Sequence, residues 1–171
     1  TKGISYDQET GNHITTPQLG LALKQIGKID VYGSDACLMQ MAEVVYAIKD
    51  SVTYIVGSEE TEPGDGYTYN TFLAPVAAKT SMYPAELARV AVNAYSDHYR
   101  DQKTGSTQSV IKAAAIPKLL TLTNEFAYAV TKAGEKNLAK KARAGAMQYA
   151  IPENKDLYDF VRQVVAGSRN A

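Results

Sequence analysis

The 171-residue sequence contains one cysteine, two histidines and no long apolar run. A single cysteine excludes an internal disulfide, so its most distinctive chemical use would be as a nucleophile. No stretch approaches the roughly 20 apolar residues that a helix needs to cross a bilayer, which predicts no membrane span. Lys plus Arg equals Asp plus Glu, so the formal net charge is zero and no global field attracts nucleic acid. Charged partners must therefore be recognised locally.

The length predicts a single domain over residues 1–171, with a core large enough to need no metal or disulfide. Residues 1–16 are polar and predict a loop or frayed terminus, while residues 17–171 form an α/β body. Thr16-Pro17 is typical of a helix start. Apolar patterning then predicts a strand at 29–34, a helix at 38–49 and a strand at 53–57. This order implies a right-handed parallel crossover.

Further patterns predict four more helices, at 83–100, 117–131, 136–149 and 157–165, and a third strand at 108–115. Three strands are few for this number of helices. We therefore expect the sheet to be incomplete without strands from upstream sequence.

The cysteine, Cys37, follows the first predicted strand of the crossover. In an open α/β sheet, ligands bind in the crevice beyond the carboxyl ends of the strands. A thiol that opens a helix there would also lie near backbone N–H groups that favour an anion. The alternative is that Cys37 is a small buried hydrophobic residue, as free cysteines usually are.

Two histidines are available as a general base for such a thiol. His13 lies in a polar stretch and is typical of a solvated loop residue. His98 lies late in a predicted helix, where a cation interacts favourably with the helix C-terminus. Neither position indicates catalysis, so the sequence predicts that a nucleophilic Cys37 has its base outside this chain.

Carboxylates follow both strands of the crossover. Asp35 precedes Cys37 by two residues, and the loop after the second strand carries Glu59, Glu60, Glu62 and Asp65. Their field favours a guanidinium or an ammonium group, and thus a substrate with Arg or Lys. The same acids could bind calcium, although their spacing differs from a helical calcium hand, or could simply solvate a loop. The sequence requires no cofactor.

These residues resemble the clostripain family of cysteine endopeptidases, in the caspase-like clan. The similarity spans most of the chain and is carried by Gly3-Ile4-Ser5-Tyr6-Asp7, Thr16-Pro17-Gln18-Leu19, Lys28-Ile29-Asp30, Asp35-Ala36-Cys37-Leu38-Met39, residues 40–44, residues 54–66 and Asp156-Leu157-Tyr158-Asp159-Phe160.

The resemblance implies a caspase-like three-layer α/β sandwich with a mostly parallel sheet flanked by helices. It implies that Cys37 is the nucleophile and that its backbone N–H contributes to the oxyanion hole. Asp35 and Asp65 would line the pocket for a basic side chain, and peptide bonds would be hydrolysed after Arg or Lys through a thioester. Family members are typically bacterial and secreted or associated with the cell envelope.

One departure from the family concerns the histidine. The family's catalytic histidine lies in an upstream His-Gly motif, whereas His13 has no following glycine. Members cut themselves into light and heavy chains that stay associated, so this chain resembles the heavy chain, with a light-chain segment as its partner. Two alternatives stay open at this point: His13 acts as the base, or the domain is non-catalytic and binds basic peptides in an acidic groove.

Overall fold

The computed structural model describes residues 3–102 and 105–169. They form two compact units, residues 1–116 and 117–171, which are treated separately below. The single-domain assignment stays a prediction. In chain order the elements are β1 (Gly3–Ile4), β2 (Ile14–Thr15), α1 (Thr16–Ile26), β3 (Ile29–Gly33), α2 (Ala42–Ile48), β4 (Val52–Gly57), α3 (Tyr69–Ala78), α4 (Pro84–Tyr99), β5 (Ser109–Lys112), a 3₁₀ turn (Ala113–Ala115), α5 (Ile116–Lys132), α6 (Lys136–Gly145) and α7 (Leu157–Gly167).

The central sheet of the first unit has the order β3-β4-β5. β3 and β4 are parallel, with Val31 opposite Tyr54, which confirms the predicted crossover through α2. β5 runs antiparallel to β4, with Ile111 opposite Ile55. The α/β class is confirmed, but the direction of β5 depends on its long-range partner and could not be read from its sequence.

The first residues differ from the prediction. Residues 1–16 were expected to be loop or frayed terminus, yet β1 and β2 pair antiparallel, with Gly3 opposite Thr15. Their connection is held by Asp7, whose N–H donates to the Asn12 carbonyl at 2.7 Å, while the N–H of Gly11 donates to the Asp7 carbonyl at 2.8 Å. Strands of two residues are too short for a sequence pattern to reveal.

The first long helix begins with a capping box. The Thr15 hydroxyl accepts a hydrogen bond from the N–H of Gln18, whose side-chain oxygen accepts one from the N–H of Thr15. The predicted cap, Thr16, is therefore already the first helical residue. Thr15 is favoured as the N-cap because it has a glutamine three residues later, and the two residues then satisfy each other's free backbone N–H groups.

Both faces of β4 are buried. Val56 lies in an aromatic cluster beneath α4, and Ile55, on the opposite face of the strand, is fully buried as well. Helices therefore cover the sheet on both sides, as the three-layer arrangement requires. The cluster consists of Val56, Tyr67, Ala88, Ala91, Tyr95 and Tyr99.

Two further elements differ from the sequence prediction. α3, at Tyr69–Ala78, was not predicted, because Pro75 within it is unfavourable in a helix interior. The helix predicted at 136–149 ends at Gly145, and Ala146 already has an extended backbone. Two residues later, Gln148 forms an antiparallel β-bridge with Lys155.

The second unit consists of α5, α6 and α7. The rings of Phe126 on α5 and Phe160 on α7 meet edge to face, with centroids 5.8 Å apart. α7 begins at an N-cap, Asp156, whose side chain accepts from the N–H of Asp159 at 2.6 Å. Across both units, none of the described helices is long and apolar enough to serve as a transmembrane segment.

Candidate active site

The cysteine lies in a tight turn between β3 and α2. The sequence predicted a helix from residue 38, but α2 begins only at Ala42. Leu38 has a φ of +66°, a left-handed conformation that interrupts a helix. The N–H of Leu38 donates to the Glu60 carbonyl at 3.2 Å and that of Gln40 to the Ser58 carbonyl at 3.0 Å. Cys37 therefore does not sit at a helix N-terminus, and the expected support from a helix dipole is wrong.

A buried glutamine anchors this turn to the sheet. The Gln40 side chain is 1% exposed. Its Nε2 donates to the Ile55 carbonyl at 3.2 Å and to the Ser109 carbonyl at 3.0 Å, so one side chain joins the turn to both β4 and β5. Such bonds are costly to break in a buried site. They fix the base of the turn while leaving its tip at the surface.

The thiol is at that tip. Cys37 is exposed, and its Sγ accepts a hydrogen bond from the backbone N–H of Glu62 at 3.3 Å. Within residues 3–102 and 105–169, the N–H of Cys37 itself donates to no main-chain carbonyl. The alternative of a buried structural cysteine is therefore wrong, because Cys37 is exposed.

A cavity of about 420 Å³ lies beside the thiol, with walls that include Cys37, Leu38, Tyr6 and His13. His13 packs so closely on the hairpin that a Cβ at Gly3 would lie 2.7 Å from its ring. Its Nε2 is buried and has no hydrogen-bond partner among the described residues, so it does not bond to the sulfur. The expected solvated loop residue is instead a wall of the site.

Asp35 is held at the rim of a second cavity, of about 250 Å³. Its Oδ2 accepts a hydrogen bond from the Tyr69 hydroxyl at 2.7 Å. This bond raises the pKa of Tyr69 above its ordinary value, because the carboxylate favours the protonated phenol. The other walls are mainly apolar and aromatic: Val31, Gly33, Val56, Tyr67, Phe72, Leu87 and Ala91.

Glycine is required next to this carboxylate. Gly66 has a φ of +60°, and a Cβ at that position would lie 2.9 Å from Oδ1 of Asp35. The loop after β4 therefore approaches Asp35 more closely than any other residue type would allow.

Asp65 lies on the same loop but not on the wall of this cavity. It is exposed. The pKa of Tyr99 is raised first by the burial of Tyr99 itself and then by the nearby charge of Asp65. The Tyr99 hydroxyl donates to the Gly66 carbonyl at 2.7 Å, which fixes the backbone beside Asp65. The structure thus brings Asp35 and the turn bearing Asp65 together, with only Asp35 on the cavity.

Glu62 is a residue that the sequence placed in the acidic loop without a role. Its Oε1 accepts a hydrogen bond from Nε2 of Gln108 at 3.4 Å, and the same nitrogen donates to the Tyr67 hydroxyl at 2.6 Å. Burial first, and then the neighbouring Asp35 carboxyl, raise the pKa of Glu62 to about 8. Only tertiary contacts single it out from Glu59 and Glu60.

Other candidates lie elsewhere or form no cluster. His98 is at the end of α4, bonded to Gln102 and bordering a cavity with Thr71 and Asp97, away from Cys37. In the part of the chain that the structure describes, no group of three or more His, Cys, Asp or Glu side chains could hold a metal ion.

Solved structures share this fold. A cysteine protease of B. fragilis superposes with a TM-score of 0.67 at 21% identity, covering 97% of this chain and 71% of its own. A secreted C11 cysteine protease of Bacteroides thetaiotaomicron, bound to an irreversible peptide inhibitor, gives 0.64 at 23% identity, covering 96% of this chain and 47% of its own.

A clostripain of Bacteroides thetaiotaomicron, in complex with the peptide inhibitor BTN-VLTK-AOMK, gives a TM-score of 0.57 at 17% identity. That match covers 86% of this chain and 56% of the other. The chain thus spans between about half and seven tenths of these proteins. No curated protein shows significant similarity to it.

These matches show that the layered α/β sheet of this chain has the fold of C11 cysteine proteases. The sequence model of the clostripain family matches residues 1–168. The chain therefore belongs to the clostripain family of cysteine peptidases, as its motifs predicted.

Proposed function

We propose that this chain is the cysteine-bearing part of an endopeptidase that cleaves peptide bonds after Arg or Lys, with Cys37 as its nucleophile. The observation that supports this most is the position of one exposed thiol beside a held carboxylate. Asp35, two residues before Cys37, stands at the rim of an apolar cavity and is oriented by Tyr69.

The cavity suits a long basic side chain. Its apolar walls would pack against the aliphatic stem of Lys or Arg, while the charged end would meet the Asp35 carboxylate. Asp65 would add negative charge from the loop after β4, a role supported by the family resemblance. The inhibitor of the related clostripain carries VLTK, with lysine as its last peptide residue.

The proposed reaction begins when the Cys37 thiol gives its proton to a histidine and attacks the scissile carbonyl. The unused N–H of Cys37 would donate to the oxyanion. The amine then leaves with the proton, and water hydrolyses the thioester. We propose that the histidine belongs to an upstream light-chain segment, since Nε2 of His13 is buried and has no hydrogen-bond partner among the described residues. Secretion or attachment to the bacterial envelope is also proposed, supported by the secreted relative.

The test uses the full-length protein and an arginyl amide substrate. Cys37→Ala should lower turnover by about a thousandfold or more, because the covalent step has no substitute. His13→Gln should retain most of the activity. An arginyl chloromethylketone should alkylate Cys37, and the citrulline analogue, a neutral isostere, should not.

Two results would contradict this function. Full turnover by the Cys37→Ala protein would show that Cys37 is not the nucleophile. Equal alkylation by the arginyl and citrulline reagents would show that the site does not prefer a cationic side chain. Loss of turnover in a stably folded His13→Gln protein would instead assign the base to His13.

A further inference from the structure

Glu62 links the thiol to the carboxylate of the proposed pocket. Its backbone N–H donates to Sγ of Cys37 at 3.3 Å, while its carboxyl faces that of Asp35. One residue is therefore in contact with both the proposed nucleophile and the proposed specificity residue.

The Glu62 carboxyl has an unusual environment. Its Oε2 is buried, and a side-chain hydrogen bond with the Asp35 carboxyl favours its protonated form. In residues 3–102 and 105–169, no Lys or Arg forms an ion pair with Glu62 or Asp35. Two adjacent carboxyls without a cation cannot both ionise cheaply in a partly buried site. The pair therefore holds one proton.

Burial assigns that proton to Glu62. Asp35 is exposed and accepts a hydrogen bond from the Tyr69 hydroxyl at 2.7 Å. Glu62 is half-buried, and its elevated pKa of about 8 agrees with this assignment. At neutral pH Glu62 is therefore a neutral carboxyl beside Asp35.

We propose that Glu62, next to Asp35 but outside the walls of the cavity, is a second, specificity-determining carboxyl: it holds a proton while the pocket is empty and releases it to solvent when a cationic side chain binds at Asp35. This inference rests on the proposed function. Binding of the cation favours ionised Glu62, so the O–H bond of the carboxyl breaks and the proton passes to the buffer. Cation binding then becomes tighter as the pH rises toward 8.

The neighbouring tyrosines and the thiol do not account for such a change, and the proposed light-chain histidine and His13 are present in both proteins of the comparison, so the Glu62→Gln variant shows what they contribute. Tyr67 and Tyr95 have pKa values raised far above the ordinary range, chiefly by burial, and Tyr69 and Tyr99 are also raised, so all four stay neutral up to pH 9. The Cys37 thiol is removed by using the Cys37→Ala protein. Arginine stays charged throughout this range. The titratable side chains that interact with Glu62 are Asp35, Cys37, Tyr67, Tyr69, Tyr95 and Tyr99.

The experiment is calorimetry on the full-length Cys37→Ala protein with a peptide that contains one arginine among alanines. Titrations at pH 7 in two buffers of different ionisation enthalpy give the number of protons released. We expect about half to one proton per peptide, and an affinity that rises at least about threefold from pH 6 to pH 8. The citrulline peptide is the matched ligand control.

Glu62→Gln is the matched protein variant, because an amide keeps the shape and the hydrogen-bond donor but cannot release a proton. It should bind the arginine peptide with no proton release and no rise in affinity between pH 6 and pH 8. Its ligand-free stability gives an independent measurement. Folded Glu62 keeps a proton that the unfolded chain loses above its ordinary pKa, so from pH 5 to pH 8 the protein with Glu62 should lose stability relative to the Glu62→Gln variant.

The outcomes separate the two proposals. If the arginine peptide binds with the same proton release whether or not the protein carries Glu62→Gln, or with no release in either case, the role of Glu62 is overturned while the proposed function stands. If the Cys37→Ala protein binds the arginine and citrulline peptides equally, or neither, the proposed function fails and this inference with it.

Discussion

Gly66→Ala should disable the proposed specificity pocket without touching the nucleophile. Gly66 has a φ of +60°, a conformation that costs a residue with a Cβ roughly 1–2 kcal/mol. The new methyl carbon would lie 2.9 Å from Oδ1 and 3.1 Å from Oδ2 of Asp35, so the carboxylate has to move. Moving away from the methyl group should weaken its 2.7 Å bond from Tyr69.

The size of the effect follows from that bond. A hydrogen bond to a charged group is worth about 1.5–3 kcal/mol. A cation that meets a displaced carboxylate should lose a similar amount, which corresponds to between about tenfold and a hundredfold in kcat/KM. Since the lost contact forms in the substrate complex as well as in the transition state, most of the loss should appear in KM.

Gly64→Ala is the matched control, because Gly64 lies in the same loop and a Cβ there would meet nothing within 4 Å. The assay is kcat and KM for an arginyl amide on the full-length protein, together with thermal unfolding and the rate of Cys37 alkylation by iodoacetamide. The alkylation rate should be the same in all three proteins. Unchanged KM in Gly66→Ala, or an equal rise in Gly64→Ala, would refute this account of the pocket.

Two further predictions address the residues that position the site. Tyr69→Phe removes the hydroxyl that orients Asp35 and should raise KM for the arginyl amide by about tenfold or more. Thermal unfolding should be unchanged because Tyr69 is 54% exposed, and Tyr83→Phe is the control. Gln40→Leu breaks the buried bonds to Ile55 and Ser109 and should lower Tm by about 4–8 °C as well as slow turnover. A wild-type Tm in that variant would show that Gln40 does not anchor the turn, and Gln8→Ala on the exposed hairpin is its control.

The sequence was most informative where the signal is local. The parallel pair β3–β4 was predicted from two short apolar runs with a helical stripe between them, because a crossover of that kind has one favoured geometry. Helices with clear start signals, such as α4 after Pro84, were placed within a residue or two. The motifs around Cys37 also indicated the family, which the match over residues 1–168 confirms.

Local signals failed where distant residues decide the conformation. The turn at 37–40 has a helical pattern of apolar residues, yet its N–H groups bond to Glu60 and Ser58, more than 15 positions away. α3 was missed because tertiary packing overrides the unfavourable Pro75. Because of the turn at 37–40, α2 begins at Ala42, four residues later than the sequence predicted.

The sequence by itself determined the α/β class, the family, the position of the single thiol and the presence of acids at one edge of the sheet, since these follow from residue type, order and short-range periodicity. Only the tertiary structure decided the burial and the neighbours of each acidic side chain. Burial and the closeness of Asp35 distinguish Glu62 from Glu59 and Glu60, and a hydroxyl from α3 orients Asp35. The charge state and the orientation of a carboxyl depend on its neighbours in the folded chain. Those neighbours are distant in sequence, so the order of the residues does not reveal them.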